Sequence, residues 1–386
     1  MTVSRRAFVR TVGRAGALSL GGLALSARGS EAAAGWAARR SEPVPALPTL
    51  IRLDSNENPV GPLPEAVEAM KAAMVHAGRY PRFMGPGLVE DLAKLHGTSP
   101  ASVVLGAGSG EILRMAVDAF TSPARGLLTA LPTFESPAAR ARQLARPLVE
   151  VPVDPRSLQI DLEAIAGRAR EAGLVFLCNP NNPTGALHSG KAMRTCLGQL
   201  RRAAPEAVVL IDEAYHEYVD DPGYESMMGL ALEEPNVIVS RTFSKAHGMA
   251  GIRLGYGVGT PATIARLAPW RLGNGVNLLA FAAGQAAITA LPSLAAERAR
   301  NAQVRAFTAK VFTDLGCVPA PSQANFVFVD IRREARTFQD ACRARGVLVG
   351  RPFPPFDAWT RVSIGTMDEM RQAADVFRQV LAPPDR

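Results

Sequence analysis

The sequence predicts an α/β protein with a mostly parallel main sheet, followed by a smaller α+β unit. Short, nearly wholly apolar segments recur between stretches of helical periodicity, which is the pattern of strands buried on both faces. Polar, glycine-rich clusters directly follow several of these segments, where the carboxyl ends of parallel strands would meet. The 386 residues are 47% hydrophobic and 20% charged, a globular composition that excludes collagen-like, coiled-coil, polytopic membrane and largely disordered chains.

These patterns predict a succession of helices and strands along the chain. Apolar residues at helical spacing predict helices at 64–75, 87–96 and 111–120, and apolar runs predict strands at 103–105, 126–130, 174–178, 207–211 and 237–241. Beyond residue 277 we expect one long Ala- and Arg-rich helix to about 315, a helix at 335–345, and strands at 325–329 and 361–364. The predicted divisions are a leader (1–34), an arm and helix (35–76), a large domain (77–277) and a small C-terminal domain (278–386).

The charge distribution argues against nucleic-acid binding. The formal net charge is +8, and the first 34 residues, with five arginines and one glutamate, carry half of it. No basic run interleaved with aromatics exists in the remainder. Only five of the 43 basic residues are lysines, so a lysine in a special setting is informative. The four cysteines have neither CxxC nor metal-ligand spacing and are expected to be core residues, with no metal site.

The N-terminus has the layout of an export signal. Residues 4–10 read SRRAFVR, a weakly apolar stretch follows at 11–27, and Ala32–Ala34 offer small residues for cleavage. The pair Arg5 and Arg6 and the low hydrophobicity resemble a twin-arginine signal, and the stretch is too short and broken for a comfortable membrane span. We therefore expect a periplasmic or exported protein that uses the twin-arginine machinery. The alternative is a disordered basic tail on a cytoplasmic protein.

Four polar clusters follow predicted strands. They are Gly106–Glu111, Asn179–Gly185, Asp212–Tyr215 and Arg241–Arg253. The first places bare glycines at the start of a helix, which suits a phosphate. The second is a proline-rigid loop that carries asparagines, the third puts an acid at the end of a buried strand, where it needs a cation or donors, and the fourth contains Lys245. Each alone also has an ordinary interpretation as a turn, a helix cap or a surface loop.

In their residues and in their order along the chain, the four clusters resemble the motifs of fold-type I pyridoxal-phosphate (PLP) enzymes. The resemblance is to the histidinol-phosphate aminotransferase branch of the class I and II aminotransferases in particular. The resemblance extends from Leu53–Pro59 to Arg361–Thr366. It implies the fold of these transferases, PLP as cofactor, a small-molecule amino donor with a 2-oxo acid acceptor, and a homodimer with shared active sites.

The resemblance also assigns catalytic and cofactor-binding roles. Lys245 matches the lysine that bonds to PLP, and Asp212 matches the partner of the protonated ring nitrogen. Tyr215 is the third expected catalytic residue. Together with Asn182, it matches the residues that donate hydrogen bonds to the phenolic oxygen of the PLP ring. Further cofactor contacts are expected from Ser109, Gly110, Glu111, Phe134 (stacking on the ring), Thr242, Ser244, Arg253, and Tyr80 of the other subunit.

The substrate residues match the family less closely. Arg361 matches the arginine that binds the α-carboxylate or its counterpart, and Asn56 and Arg351 are the other expected substrate contacts. Arg351 stands one place later than the second arginine of the histidinol-phosphate branch. Pro137 replaces a tyrosine that is common there, and His247 replaces a common aromatic. Together with the export signal, these departures leave the amino donor open.

We therefore expect a transaminase (EC 2.6.1.-) that moves an amino group between a histidinol-phosphate-like or aromatic donor and 2-oxoglutarate. One alternative is a PLP-dependent decarboxylase or lyase of an amino-acid phosphate on the same scaffold. A second is a non-enzymatic cofactor-binding regulator, for which the 34-residue leader is too short to supply a DNA-binding or partner domain.

Overall fold

The structure, a computed structural model, describes residues 50–82 and 84–382. The predicted export signal with Arg5 and Arg6, and the arm as far as residue 49, lie outside the described residues. Within the described ranges no single helix is long and apolar enough to cross a bilayer, and one sharply bent pair (Leu278–Ala287 with Leu291–Asp314) passes that test only when its two helices are counted together.

Strands and helices alternate through most of the described chain. The strands are β1 (Ile51–Leu53), β2 (Val103–Gly106), β3 (Gly126–Leu131), β4 (Leu148–Pro152), β5 (Ala172–Cys178), β6 (Val208–Asp212), β7 (Val237–Thr242), β8 (Gly255–Gly259), β9 (Val318–Pro319), β10 (Phe326–Asp330), β11 (Val347–Val349) and β12 (Trp359–Ser363). The helices are α1 (Pro64–Ala73), α2 (Gly85–Leu95), α3 (Ser109–Phe120), α4 (Ser136–Gln143), α5 (Leu162–Arg168), α6 (Gly190–Ala203), α7 (Met228–Glu233), α8 (Pro261–Leu267), α9 (Leu278–Ala287), α10 (Leu291–Asp314), α11 (Ala335–Arg343) and α12 (Met367–Leu381).

The main sheet has seven strands in the order β2-β8-β7-β6-β5-β3-β4. All neighbouring pairs from β7 to β4 are parallel, and β8 runs antiparallel to both of its neighbours. Along β5, Val175 and Leu177 belong to one hydrophobic cluster, whereas Leu174 and Phe176 belong to another. Because successive side chains of a strand face opposite sides, the sheet is buried on both faces. The expected α/β architecture with a mostly parallel sheet is confirmed.

The C-terminal part has a core and sheets of its own. Strands β12-β10-β9 form an antiparallel sheet, and β1 pairs in parallel with β11. A separate cluster that includes Leu53, Phe312, Phe338 and Phe377 packs these strands against helices α10 to α12. Helix α9, in contrast, packs within the main-sheet core. The domain boundary at residue 277 stays a prediction.

The expectation of one helix from 277 to 315 is wrong. The structure has two helices, α9 and α10, with an angle of 85° between them. Pro292 lies in the first turn of α10, the one part of a helix where proline's missing N–H and fixed φ are tolerated. The break is therefore encoded by this proline, which the Ala- and Arg-rich pattern obscured.

Strand β8 escaped prediction because glycines occupy three of its five positions, and glycine ordinarily weakens a strand. Its first glycine has a packing reason. A Cβ at Gly255 would lie 2.2 Å from the amide nitrogen of Ser109, so the strand and the start of α3 can approach only without a side chain. The four cysteines are buried and free, as the sequence predicts.

Candidate active site

The carboxyl ends of β5, β6 and β7 bring three of the polar clusters together. The register pairs Cys178 with Asp212 and Asp212 with Ser240, so the loops after these strands leave the same edge of the sheet. The glycine loop after β2 belongs to the same sheet. The segment after β1 and strand β12 contribute the remaining side chains.

Lys245 lies in the loop after β7, and its side chain reaches the segment after β1. Its Nζ donates to the carbonyl oxygens of Asn56 at 2.8 Å and Ser55 at 3.4 Å, and lies 5.9 Å from the centroid of the Tyr215 ring. Burial first, and then the positive charge of Arg361, lowers the pKa of this amine to about 8. A lysine with this pKa is partly neutral at mildly alkaline pH, which a nucleophilic amine requires.

Asp212 is the last residue of β6, and its buried carboxylate has a hydrogen-bond partner on the neighbouring strand β7. Ser240 Oγ on β7 donates to its Oδ1 at 2.9 Å. Burial raises the pKa of Asp212 to about 6, although Ser240 and the charge of Lys245 act in the opposite direction. The carboxylate therefore stays ionised at neutral pH and favours a cation beside it. Ser240 is absent from the predicted residues, and the signal that could have found it is its position as the first polar residue after the apolar run 237–239 of β7.

The Tyr215 hydroxyl accepts hydrogen bonds from two buried amides. Asn182 Nδ2 lies 3.2 Å from it and Asn56 Nδ2 lies 3.1 Å from it. Burial raises the pKa of Tyr215, so the phenol stays protonated. Because both amides donate to the oxygen, the phenolic proton points elsewhere and can serve a ligand. The predicted pair Asn182 and Tyr215 thus lies together.

Asn56 links this cluster to the C-terminal sheet. Its backbone has a φ of 53°, a left-handed conformation that asparagine adopts more readily than most residues. The backbone N–H of Asn56 donates to Ser363 Oγ at 2.7 Å, and the Ser363 hydroxyl donates to the side-chain Oδ1 of Asn56 at 2.9 Å. The backbone carbonyl of Asn56 accepts from Asn325 Nδ2 at 3.0 Å. Neither Ser363 nor Asn325 was predicted. Ser363 lies two residues after Arg361 on one strand, and this spacing puts both on the same face.

Arg361, on β12, presents an incompletely satisfied guanidinium to the site. Its Nη1 donates to Asn182 Oδ1 at 2.8 Å and its Nη2 donates to the carbonyl of Asp54 at 2.6 Å. Its buried Nε has no partner among the described residues. The guanidinium carbon lies 5.0 Å from the centroid of Phe353 and 5.8 Å from that of Phe326. A substrate carboxylate would supply the missing acceptor.

The start of α3 and Arg253 form a candidate phosphate cradle. Gly108 precedes the helix with a φ of 83°, and a Cβ there would lie 2.2 Å from Nη2 of Arg253. Ser109 and Gly110 begin the helix, so their amides lack an intrahelical acceptor. Nη1 of Arg253 donates to Ser244 Oγ at 3.3 Å. Helix-start amides with a guanidinium are the donor set that a phosphate dianion favours.

Glu111 and Thr242 make contacts that brace the loops of this cradle. The buried Glu111 carboxylate accepts from the amides of Ala107 at 2.6 Å and Leu272 at 2.7 Å, and its own amide donates to a carbonyl in the preceding glycine loop at 3.2 Å. Thr242 Oγ1 accepts from the amide of Ser244 at 3.1 Å. Direct contact of either residue with a phosphate stays a prediction.

Three predicted residues are exposed and lie outside the hydrogen-bonded cluster, and two of them, Phe134 and Arg351, form the rim of the site. Tyr80 is 71% exposed and Phe134 is 36% exposed. Arg351 donates to the carboxylate of Glu135, and its guanidinium carbon lies 4.4 Å from the centroid of Phe353. Stacking by Phe134, a phosphate contact from Tyr80 and substrate binding by Arg351 stay predictions.

His247, where the family often has an aromatic, supports the loop that carries the lysine. Its ring centroid lies 4.8 Å from that of Phe243, and its Nε2 lies 3.8 Å from Glu217 Oε1. Burial lowers the pKa of His247 to about 4 and raises that of Glu217 to about 7. The neutral imidazole therefore packs as an aromatic would.

The fold and this constellation define a PLP-dependent aminotransferase, and the comparison with known families agrees. Residues 48–377 match the aminotransferase class I and II family, and the chain belongs to it. Its cofactor is PLP, and it is a transaminase (EC 2.6.1.-).

Within this family the chain is similar to histidinol-phosphate aminotransferases. It is 37% identical over 338 residues to the histidinol-phosphate aminotransferase of Symbiobacterium thermophilum, covering 87% of this chain and 91% of that one. It is 36% identical to the Moorella thermoacetica protein of the same name, with 86% of each covered. A solved structure, the histidinol-phosphate aminotransferase of Sinorhizobium meliloti in complex with pyridoxal-5'-phosphate, matches with a TM-score of 0.80 and 29% identity over 86% of this chain and 90% of that chain.

The donor set of this chain fits PLP. The cradle at Gly108 suits the phosphate, Asp212 offers a carboxylate to a cationic ring nitrogen, and Lys245 offers an amine of lowered pKa. Tyr215 and Asn182 lie where an anionic ring oxygen would find donors. No feature of the described site conflicts with the cofactor.

Proposed function

We propose that this aminotransferase moves the amino group of a histidinol-phosphate-like or aromatic donor to 2-oxoglutarate. The observation that carries the proposal is the buried cluster in which Lys245, Asp212 and Tyr215 meet Arg361, whose Nε has no partner among the described residues. The histidinol-phosphate aminotransferases at 36–37% identity support this choice of donor. The ring of Phe353, 5.0 Å from the guanidinium carbon of Arg361, gives the substrate position an apolar neighbour, which favours an aromatic or imidazole side chain over a small one.

The residues of this chain have separable tasks in the reaction. PLP, when bound, supplies an aldehyde that links to amines and a ring that accepts electrons from the substrate's α-carbon. Lys245 Nζ, with its pKa of about 8, accepts and returns the proton of that carbon. Asp212 stays ionised above pH 6 and would hold a ring nitrogen protonated. Tyr215 would donate its phenolic proton to a ring oxygen, and Arg361 would fix the substrate by its carboxylate or the group that replaces it.

The test is an amino-donor screen on the purified, PLP-loaded protein with 2-oxoglutarate. We expect glutamate formation with histidinol phosphate or with an aromatic amino acid. Release of carbon dioxide from an amino-acid phosphate, without glutamate, would contradict transamination and identify a decarboxylase. The Lys245→Ala protein, assayed in parallel, controls for contaminating transaminases.

We further propose a homodimer in which Tyr80 serves the active site of the other subunit. Tyr80 is highly exposed, and the described residues give its hydroxyl no partner within the chain. The chain belongs to the aminotransferase class I and II family, and its resemblance to that family implies a homodimer with shared active sites. Tyr80→Phe should weaken PLP retention and leave the dimer's mass unchanged in light scattering. A monomeric wild-type protein at micromolar concentration would contradict the proposal.

We also propose export by the twin-arginine route, which carries folded proteins that already hold their cofactor. The support is the sequence around Arg5 and Arg6. Replacing both with lysine keeps the charge and removes the recognised pair, so the folded enzyme should accumulate in the cytoplasm. Cell fractionation measures this. Equal export of the double variant and the wild-type protein would contradict the proposal.

A further inference from the structure

A small cavity beside the site contains two glutamate–arginine pairs. Its volume is about 190 Å³, and its lining residues include Pro132, Thr133 and Phe353 together with the two pairs. One pair is Glu135 with Arg351 and the other is Glu150 with Arg142, in which Nη2 donates to both carboxylate oxygens at 2.8 Å.

The Glu135–Arg351 pair lies next to the residues that contact substrate and cofactor. Glu135 directly follows Phe134, the predicted stacking residue. The guanidinium groups of Arg351 and Arg361 both lie against the ring of Phe353. Their central carbons are 4.4 Å and 5.0 Å from the ring centroid. One ring therefore holds the two groups that could bind two anionic ends of a substrate. Within the described part of the chain, the Glu150 pair has no such link to Arg361.

The carboxylate of Glu135 already pairs with the guanidinium of Arg351, which a second anionic group of a substrate would need. The side chains of Arg351 and Glu135 are 46% and 62% exposed, so their pairing is weak and can exchange. A substrate with an uncharged side chain leaves the pair intact. A substrate with a phosphate or a second carboxylate has to replace Glu135 on Arg351 and withstand its negative charge.

We propose that Glu135 is a specificity-determining residue for the side-chain end of the substrate. Its carboxylate fills the anion position of Arg351 while an uncharged substrate is bound and gives that position up to a phosphate or carboxylate. The inference rests on the proposed function, because a transaminase has to accept two different substrates in one site. Glu135 thereby weakens binding of doubly anionic substrates relative to singly anionic ones.

The test compares a dicarboxylate and a monocarboxylate as ligands of the PLP-loaded protein. Maleate and 3-phenylpropionate are titrated by calorimetry into wild type and Glu135→Gln, which keeps the side chain's size and removes its charge. We expect Glu135→Gln to bind maleate about three- to ten-fold more tightly, with the gain reduced at high ionic strength. Its affinity for 3-phenylpropionate should change less than about two-fold, within the range of a weak surface contact.

Glu150→Gln is the matched control, because it removes the same charge from the same cavity without freeing Arg351. It should change neither affinity, and adding Arg351→Ala to Glu135→Gln should abolish the gain. Equal maleate affinity in wild type and Glu135→Gln, or an equal gain in Glu150→Gln, would overturn the inference and leave the proposed function standing. Binding of neither ligand by the wild-type protein would overturn the proposed function, and the inference with it.

Discussion

Two regions of the active site are built in opposite ways. The inner region, around Lys245, Asp212, Tyr215 and Asn56, is buried, and hydrogen bonds hold these four side chains in place. The rim, around Arg351, is exposed and is held by one exchangeable ion pair and an aromatic contact. The inner contacts cross between the large sheet and the C-terminal sheet, whereas the rim contacts connect loops.

This difference separates the reaction from its substrate. Buried, hydrogen-bonded groups cannot move without leaving unsatisfied donors, so the inner region has one geometry and one chemistry. Exposed charges exchange partners at little free-energy cost, so the rim can accommodate different side chains. We expect substitutions in the inner region to abolish the reaction and substitutions at the rim to change which substrates react.

The largest effect is expected from Lys245→Ala. Loss of the amine removes the covalent attachment of PLP and the group that moves the proton, and turnover should fall about 100- to 10,000-fold. The protein should retain only non-covalent PLP. Steady-state kinetics measures this, with Lys191→Ala, an exposed lysine on α6, as the control. A borohydride-reducible bond between PLP and Lys245→Ala would refute the assignment.

The second-largest loss of activity is expected from Arg361→Ala. Loss of a two-pronged charged contact typically costs about 2–5 kcal/mol, or about 30- to several-thousand-fold in kcat/KM. Arg361→Lys keeps the charge without the fork and should recover only part of the loss. If both variants kept the wild-type kcat/KM for every donor, Arg361 would lie outside the substrate site.

Asp212→Asn should separate stability from activity. Because the folded pKa of about 6 lies above the ordinary value of 3.8, ionisation of Asp212 destabilises the fold; the penalty is complete above pH 6, shrinks as the pH falls from about 6 to 3.8, and is absent below that. The substitution should therefore raise the free energy of unfolding of the cofactor-free protein by about 3 kcal/mol at pH 8 and by little at pH 4. Urea unfolding at the two pH values measures this, and PLP retention should fall. Equal stabilisation at both pH values would contradict the pKa argument.

The smallest effect is expected at the rim. Arg351→Ala should raise the KM of phosphorylated or acidic donors about two- to five-fold, the range of an exposed ion pair, and leave kcat and uncharged donors unchanged. Donor-by-donor kinetics measures this. Unchanged kinetics for every donor would mean that Arg351 faces solvent and that rim and inner region do not share the substrate.

The inner region was the more predictable of the two. Apolar runs before Asn179 and Asp212 predicted the strands, and the motif resemblance named the side chains expected at the site. The sequence did not predict the roles of Ser363 and Asn325. Both form hydrogen bonds with the backbone of Asn56, and no local sequence pattern predicts the left-handed conformation of that residue.

The rim was less predictable because its contacts join distant loops. Glu135 and Arg351 are 216 positions apart, and neither belongs to a motif that requires the other. The one-residue offset of Arg351 from the family pattern could be seen in the sequence, but its acidic partner could be found only from the fold.

The central claim is that Lys245, in the inner region, is the residue that bonds to PLP. The direct measurement is borohydride reduction of the purified PLP-loaded protein, followed by mass spectrometry of its peptides. We expect a pyridoxyl group on the peptide that contains Lys245 and on none of the peptides with the other four lysines. A pyridoxyl group on another lysine, or an unmodified Lys245 in protein that retains PLP, would contradict it.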